Sequence, residues 1–153
     1  PPTPPAHSLS RMITNISIAS VFVKDVDESK AFYIDILGFE EHTDITIGDG
    51  YRWCTVKHPN QPELQVHLTV PGPPFSPEMV EAIKRSQDGG GMNGLGMNVD
   101  DCRKTYEDLV SKGVQFINPP EERPYGIEAV ARDNSGNWMV LVEPRQFTPG
   151  DFG

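Results

Sequence analysis

Strand and helix rhythms alternate along this chain, and the alternation is told twice. From Ile13 the apolar positions fall at strand spacing, Ile16 and Ile18, then Val21 and Val23, predicting a first strand that ends at Lys24. Asp25 with Glu28 three residues later reads as a capping-box-like helix start. Ala31, Phe32, Ile36 and Leu37 then form the apolar stripe of a helix, which Gly38 stops. Two strands, 39–47 and 51–57, flank the tight turn Gly48-Asp49-Gly50, and 58–62 has turn composition. A fourth strand ends at Pro71 and alternates most cleanly of all. Leu64, Val66, Leu68 and Val70 form a core face; Gln65, His67 and Thr69 form a polar face that suits the inner wall of a cavity.

Residues 94–144 restate this order. Val21-Phe22-Val23-Lys24-Asp25 is matched by Met97-Asn98-Val99-Asp100-Asp101, and Leu37-Gly38-Phe39 by Gly113-Val114-Gln115-Phe116. Asp25 and Asp101 stand 76 residues apart, Gly38 and Gly113 75 apart. That period is too long for a solenoid unit. It predicts an α+β fold of two βαβββ modules, each too small to bury its sheet alone, with function between them. The second module reads as strand 95–99, a helix from Asp101 to Lys112, strand 114–117, a polar turn over 118–126, strand 127–132, the hairpin turn Asp133-Asn134-Ser135-Gly136 and a last strand to Pro144. The organisation is then a disordered tail (1–12), first module (13–71), a linker with a short helix (72–93), second module (94–145) and a loose C-terminal tail (146–153). Gly89-Gly90-Gly91 reads as a flexible part of the linker, because no strand feeds it and no Lys-Ser/Thr follows, as a phosphate loop requires.

Charge and composition narrow the function classes. A chain of 153 residues carrying net charge −9 is repelled by nucleic acid and by anionic membranes, and mildly favours a cationic ligand. No apolar run has membrane-spanning length and no signal segment opens the chain, which points to the cytoplasm. Two cysteines, Cys54 and Cys102, make no disulfide framework. No Ser-His-Asp order, HExxH, CxxC or P-loop is present.

The repeat, the Leu37-Gly38-Phe39 after the first helix and the ending RDNSGNWMVLVEP together resemble the vicinal oxygen chelate superfamily: glyoxalase I, the bleomycin-resistance proteins and the extradiol dioxygenases. The resemblance covers about residues 13–145. It implies tandem βαβββ modules forming a cupped mixed sheet, usually within a homodimer. It also implies, in metal-using members, two ligands per module to one divalent ion. Carried over by spacing from Asp25, Asp101, Asp133 and the closing prolines, those positions are Ile18, His67, Gly94 and Val140. Three of the four cannot bind a metal, so no metal site and no cofactor is expected. Glu143 lies three residues past Val140 and so on the opposite face of its strand.

The same parity gives the candidate wall: Ser20 and Phe22 with Ile18, Gln65 with His67, Asn98 with Gly94 and Gly96, Trp138 with Val140, and in addition Trp53 and Tyr125. His67 is the best candidate for a ligand donor or general base; the plainer reading is an imidazole bonded within the sheet. Trp53 and Trp138 are stacking platforms or ordinary core, and Tyr125 a lip over the pocket or a loop residue packed down. Gly94 and Gly96 make room for a ring or mark a bulge. Cys102, at a helix start, is expected to have a lowered thiol pKa but a structural role. The expected function is metal-free binding of a small organic molecule, of the resistance or sequestration type. The alternatives are a glyoxalase-like lyase or isomerase, or a dioxygenase-like enzyme, with a divalent metal or with His67 as base, and a purely dimeric scaffold.

Overall fold

Asp25 and Asp101 cap their helices in the same way. Each has an extended backbone and accepts from the amide three residues on, Glu28 N to Asp25 Oδ1 at 2.8 Å and Lys104 N to Asp101 Oδ1 at 3.0 Å. The computed structural model describes residues 12–153; the tail read over 1–12 lies, Met12 apart, outside the described residues. Helix α1, Val26–Ala31, continues as a wider π turn over Phe32–Ile36, which seats Phe32 and Tyr33 together in the core. Gly38 and Gly113 follow the first and second module helices at φ of +82° and +87°, a region glycine enters without strain.

Each module is a four-stranded sheet in the order first, fourth, third, second strand. One contains β1 (Ile18–Phe22), β4 (Gln61–Thr69), β3 (Tyr51–His58) and β2 (Glu40–Ile47). The other contains β5 (Asn93–Asn98), β8 (Trp138–Pro144), β7 (Gly126–Arg132) and β6 (Phe116–Arg123). The first and last strands of each module pair in parallel, and the remaining pairs are antiparallel. The result is an α+β fold of tandem βαβββ modules whose sheets stay open. The linker carries α2, Pro77–Asp88, and the second module's helix is α3, Cys102–Ser111, packed on its own sheet.

The alternation read from the sequence sets what is buried. Val21, Val23, Val56, Val66 and Leu68 from the first sheet, with Ala131, Met139 and Leu141 from the second, share one core with Phe32, Tyr33, Phe39, Leu109 and Val114. Burying each of the larger aliphatic side chains contributes roughly 1.5–3 kcal/mol. The module helices α1 and α3 pack on this side. The opposite face of each sheet is the one that carries the candidate wall.

The hairpin after β7 fastens the modules together. Tyr33 Oη donates to Asp133 Oδ2 at 2.8 Å, Lys24 N to Ser135 Oγ at 2.9 Å, and Ser29 Oγ to Asn134 Oδ1 at 3.1 Å. Phe22 O accepts from Asn137 Nδ2 at 2.7 Å and from Gln87 Nε2, in the linker helix, at 2.9 Å. Gly136, at φ +92°, lies so near that helix that a Cβ there would sit 2.2 Å from Gln87 O.

Several expectations need correction. The polar turn at 118–126 is mostly strand: β6 runs to Arg123 through Pro119 and Pro120, because an edge strand tolerates residues without an N–H, and its pairing with β7 shifts twice there. The turn at 58–62 shrinks to Pro59-Asn60, with Pro62 inside β4 but beyond the stretch that pairs with β1. Gly89, Gly90 and Gly91 are not loose: their amides donate to Arg85 O, Gln87 O and Ser86 O. The C-terminal segment forms a 3-10 turn, Pro149–Phe152, closed by a Thr148–Asp151 capping box, with Phe152 stacked on Tyr125 at 6.2 Å.

Candidate functional site

Odd-numbered residues of β3 and β4 and even-numbered residues of β1 point away from the helices, and they meet at His67. The register pairs Ser20 with His67 and His67 with Thr55. The imidazole is 7 % exposed and stacks on the Trp53 indole, 4.1 Å between centroids at 28°. Ser20 Oγ stands 3.4 Å from its Nδ1 and Tyr51 Oη 3.4 Å from its Nε2. Both contacts are long, so each ring nitrogen keeps capacity for a further partner. Burial pushes the imidazole pKa below its ordinary value, which keeps the ring neutral, one nitrogen a donor and the other an acceptor. Gln65 is half-buried beside it and accepts from Thr55 Oγ1 at 3.0 Å. One strand position further on, Phe22 meets Phe75 edge-on at 5.5 Å.

The open face of the second sheet is built in three rows. Arg132 pairs with Trp138, and Trp138 with Asn93; Val130 pairs with Val140, and Val140 with Gly96; Glu128 pairs with Val142, and Val142 with Asn98. Trp138 is 41 % exposed, so it lies open on this face and is not core. Tyr125 stands at the β6–β7 turn and donates to Glu128 Oε2 at 2.7 Å; the charge it donates to pushes its phenol pKa up. A bulge between Asn93 and Gly96 separates the two glycines. A Cβ at Gly94 would meet Trp138 O at 3.2 Å, whereas one at Gly96 would meet nothing within 4 Å. Gly94 therefore serves close strand packing, and only Gly96 leaves room on the face.

Ser20, Trp53, Gln65 and His67 are thus brought together, with Phe22 beside them. Asn98 and Tyr125 belong to one end of the second sheet's open face and Trp138 to the other. Sequence reasoning missed Tyr51, Thr55, Phe75, Glu128 and Arg132. Period two counted outward from Trp53 and back from Arg132 along their strands reaches all but Phe75, which follows the strand break at Pro71. Cys102 departs from expectation: burial first, then Glu143, pushes its thiol pKa up. Glu143 caps the same helix by accepting from Cys102 N at 3.0 Å, on the face opposite Val140.

The metal positions that spacing assigned do not form a donor set. Among the described residues no three His, Cys, Asp or Glu side chains gather where they could hold an ion. Ile18, Gly94 and Val140 offer no donor beside His67, so the residues present do not fit the metal of the metal-using members. Among the described residues, one concavity of about 520 Å3 lies beside Pro144, Arg145, Gln146 and Phe147, at the Tyr125 end of the second sheet, and one of about 340 Å3 beside Pro77, Glu78, Glu81 and Arg85.

Two open βαβββ sheets in tandem define the class of fold, and the comparisons with known proteins specify it. The model of the Glyoxalase/Bleomycin resistance protein/Dioxygenase superfamily matches residues 15–141, and the chain belongs to that superfamily. It is 30 % identical to the uncharacterised protein YurT of Bacillus subtilis (strain 168) over 129 residues, covering 84 % of this chain and 98 % of YurT. Among solved structures it is similar to UcmS2, with a TM-score of 0.79 and 38 % identity, covering 86 % of this chain and 99 % of UcmS2. It is also similar to TnmS3, an antibiotic binding protein from Streptomyces sp. CB03234, with a TM-score of 0.69 and 26 % identity over 88 % of this chain and 98 % of TnmS3.

Proposed function

We propose that this protein binds a small organic molecule against the open faces of its sheets, without a divalent metal, as a sequestering protein. The observation that carries the reading is the stack of Trp53 on His67 within reach of Ser20 and Tyr51. It offers a flat apolar surface and a neutral imidazole with unspent hydrogen-bonding capacity in one place. Sequestration needs burial and complementary polar groups, and no reacting group. TnmS3, an antibiotic binding protein, gives the same reading independent support.

A second copy of the chain closes the site in this reading. Ile18, Ile45, Ile47 and Tyr51 share the first sheet's open face by register and are 38 %, 52 %, 48 % and 52 % exposed. An apolar area of that extent on one face calls for a cover. No helix among the described residues is long and apolar enough to cross a membrane. Both cysteines are free and buried, in keeping with a reducing, cytoplasmic setting.

A thermal-shift screen of aromatic small molecules and antibiotics tests the proposal. Ligands that raise the melting temperature should lose their effect in Trp53→Ala and in Gly96→Phe, whose added ring enters open space. His67→Ala should weaken binding modestly. Hits that survive both substitutions, or a protein that turns a hit over and loses that turnover in His67→Ala, would overturn it.

A further inference from the structure

Arg132 is a cation without a counter-charge. Among the described arginines, Arg52, Arg103, Arg123 and Arg145 each pair with a carboxylate, whereas exposed Arg85 and half-buried Arg132 do not. Arg132 makes no ion pair among the described residues, although the chain carries 22 acidic residues against 13 basic ones. Its Nε is buried and has no acceptor. A guanidinium partly removed from water and left unpaired is costly, so its surroundings should explain it. Within the chain they offer only the C-terminal end of α2, whose dipole favours a cation, and no carboxylate. Asp133, next in sequence, is taken up by Tyr33, Ser135 and Asn137. The register places Trp138 beside Arg132 and Asn93 beyond it, and neither is charged. Gly90, at φ +75°, comes so close that a Cβ there would lie 2.0 Å from Nη2. The backbone has thus been stripped of a side chain where the guanidinium lies.

We infer that Arg132 is the recognition group for an acidic oxygen, a carboxylate or an ionised phenol, on the small molecule bound at the second sheet's open face. Trp138 supplies the apolar platform beside that group, and Gly96, one row along, leaves space for the ligand's body. A planar guanidinium offers paired donors that match a carboxylate. The inference rests on the small-molecule reading above and makes it more specific. It also reverses the preference that net charge alone suggests: the surface as a whole favours cations, while this site selects an anion.

Isothermal titration with 2-naphthoate and its neutral analogue 2-naphthamide, at low ionic strength in a chloride buffer, tests it. The wild type should bind the carboxylate roughly tenfold to a hundredfold more tightly than the amide. Arg132→Gln should abolish that preference, chiefly by weakening the carboxylate; Arg132→Lys should keep part of it. Because the arginine has no carboxylate partner in the free protein, Arg132→Gln should melt within a few degrees of the wild type. Equal affinities in the wild type, or a preference that survives Arg132→Gln, overturns the anion site. Amide binding that Gly96→Phe blocks would then leave the small-molecule reading standing. A substantially lower melting temperature for Arg132→Gln shows a structural arginine and overturns the inference too. Failure of both probes to bind the wild type at millimolar concentration overturns both readings.

Discussion

The contact between Tyr33 and Asp133 permits a quantitative prediction. Tyr33 is 0 % exposed, and its hydroxyl donates to Asp133 Oδ2 at 2.8 Å. Asp133, 5 % exposed, also accepts from Ser135 N at 2.9 Å, Asn137 N at 3.0 Å and Asn137 Nδ2 at 2.9 Å. Tyr33→Phe removes one of four donors from a buried carboxylate. It keeps the ring that packs edge-on against Phe32 and Phe39, at 5.6 and 5.8 Å. A hydrogen bond to a charged group contributes about 1.5–3 kcal/mol, so the substitution should cost about 2 kcal/mol. At roughly 2–4 °C per kcal/mol for a chain of this size, the melting temperature should fall by about 4–8 °C.

Urea unfolding followed by far-UV circular dichroism measures this directly, with the loss read from the midpoint at constant m. Burial, reinforced by the charge and hydrogen bond of Asp133, pushes the Tyr33 phenol far above its ordinary pKa. The hydroxyl therefore stays a donor throughout the neutral range, and the loss should be the same at pH 6 and pH 9. A cost below about 0.5 kcal/mol would refute the reasoning, since it is the size expected of a surface substitution. So would a cost that vanished at the higher pH.

Two further outcomes follow from the ion cluster and from the donor set. Arg52 first, then Lys30, holds the Asp44 carboxyl well below the usual range. A depressed folded-state pKa stabilises fully above the unfolded value of about 4 and is lost as pH falls through the folded one. Denaturant midpoints measured downward from pH 5 should therefore drop more steeply for the wild type than for Asp44→Asn, and parallel curves would remove Asp44 from the account. Separately, protein purified without chelators or a metal-binding tag should contain far less than one zinc, nickel, iron or manganese per chain by elemental analysis. Near-stoichiometric metal would refute metal-free binding.

The features legible in the sequence were those set by local chemistry. Asp25 and Asp101 cap, Gly38 and Gly113 stop, and Val66 and Leu68 turn inward because side-chain type alone decides each. Errors arose where sheet position decides instead. Pro119 and Pro120 look like a turn until β6 is known to be an edge, and Gly94 looks equivalent to Gly96 until the bulge between them is seen. Alternation placed Ser20, Gln65 and His67 on one face. It could not show that Tyr51 reaches His67 or that Arg132 lacks a carboxylate, because both depend on what lies across the strands.

The run from Asp133 to Asn137, which carries most of the family resemblance, turns out to be engaged in holding the modules together. Asp133 takes Tyr33, Asn134 takes Ser29, Ser135 takes Lys24 N, Gly136 lets Gln87 approach, and Asn137 reaches Phe22 O. All of them but Asn134 and Gly136 are buried. Substitution in this run is therefore paid for in stability, whatever the ligand. The open-face positions obey a different constraint. Tyr51 and Trp138 are exposed, and a side chain added at Gly96 meets nothing. Changes there alter what the face can hold while leaving the core and the latch intact. The motif that identifies the superfamily is thus physically separate from the residues we propose to choose a ligand. Recognition of the fold carries no information about that choice. On the reading proposed above, it lies with Trp53, His67, Arg132 and their neighbours.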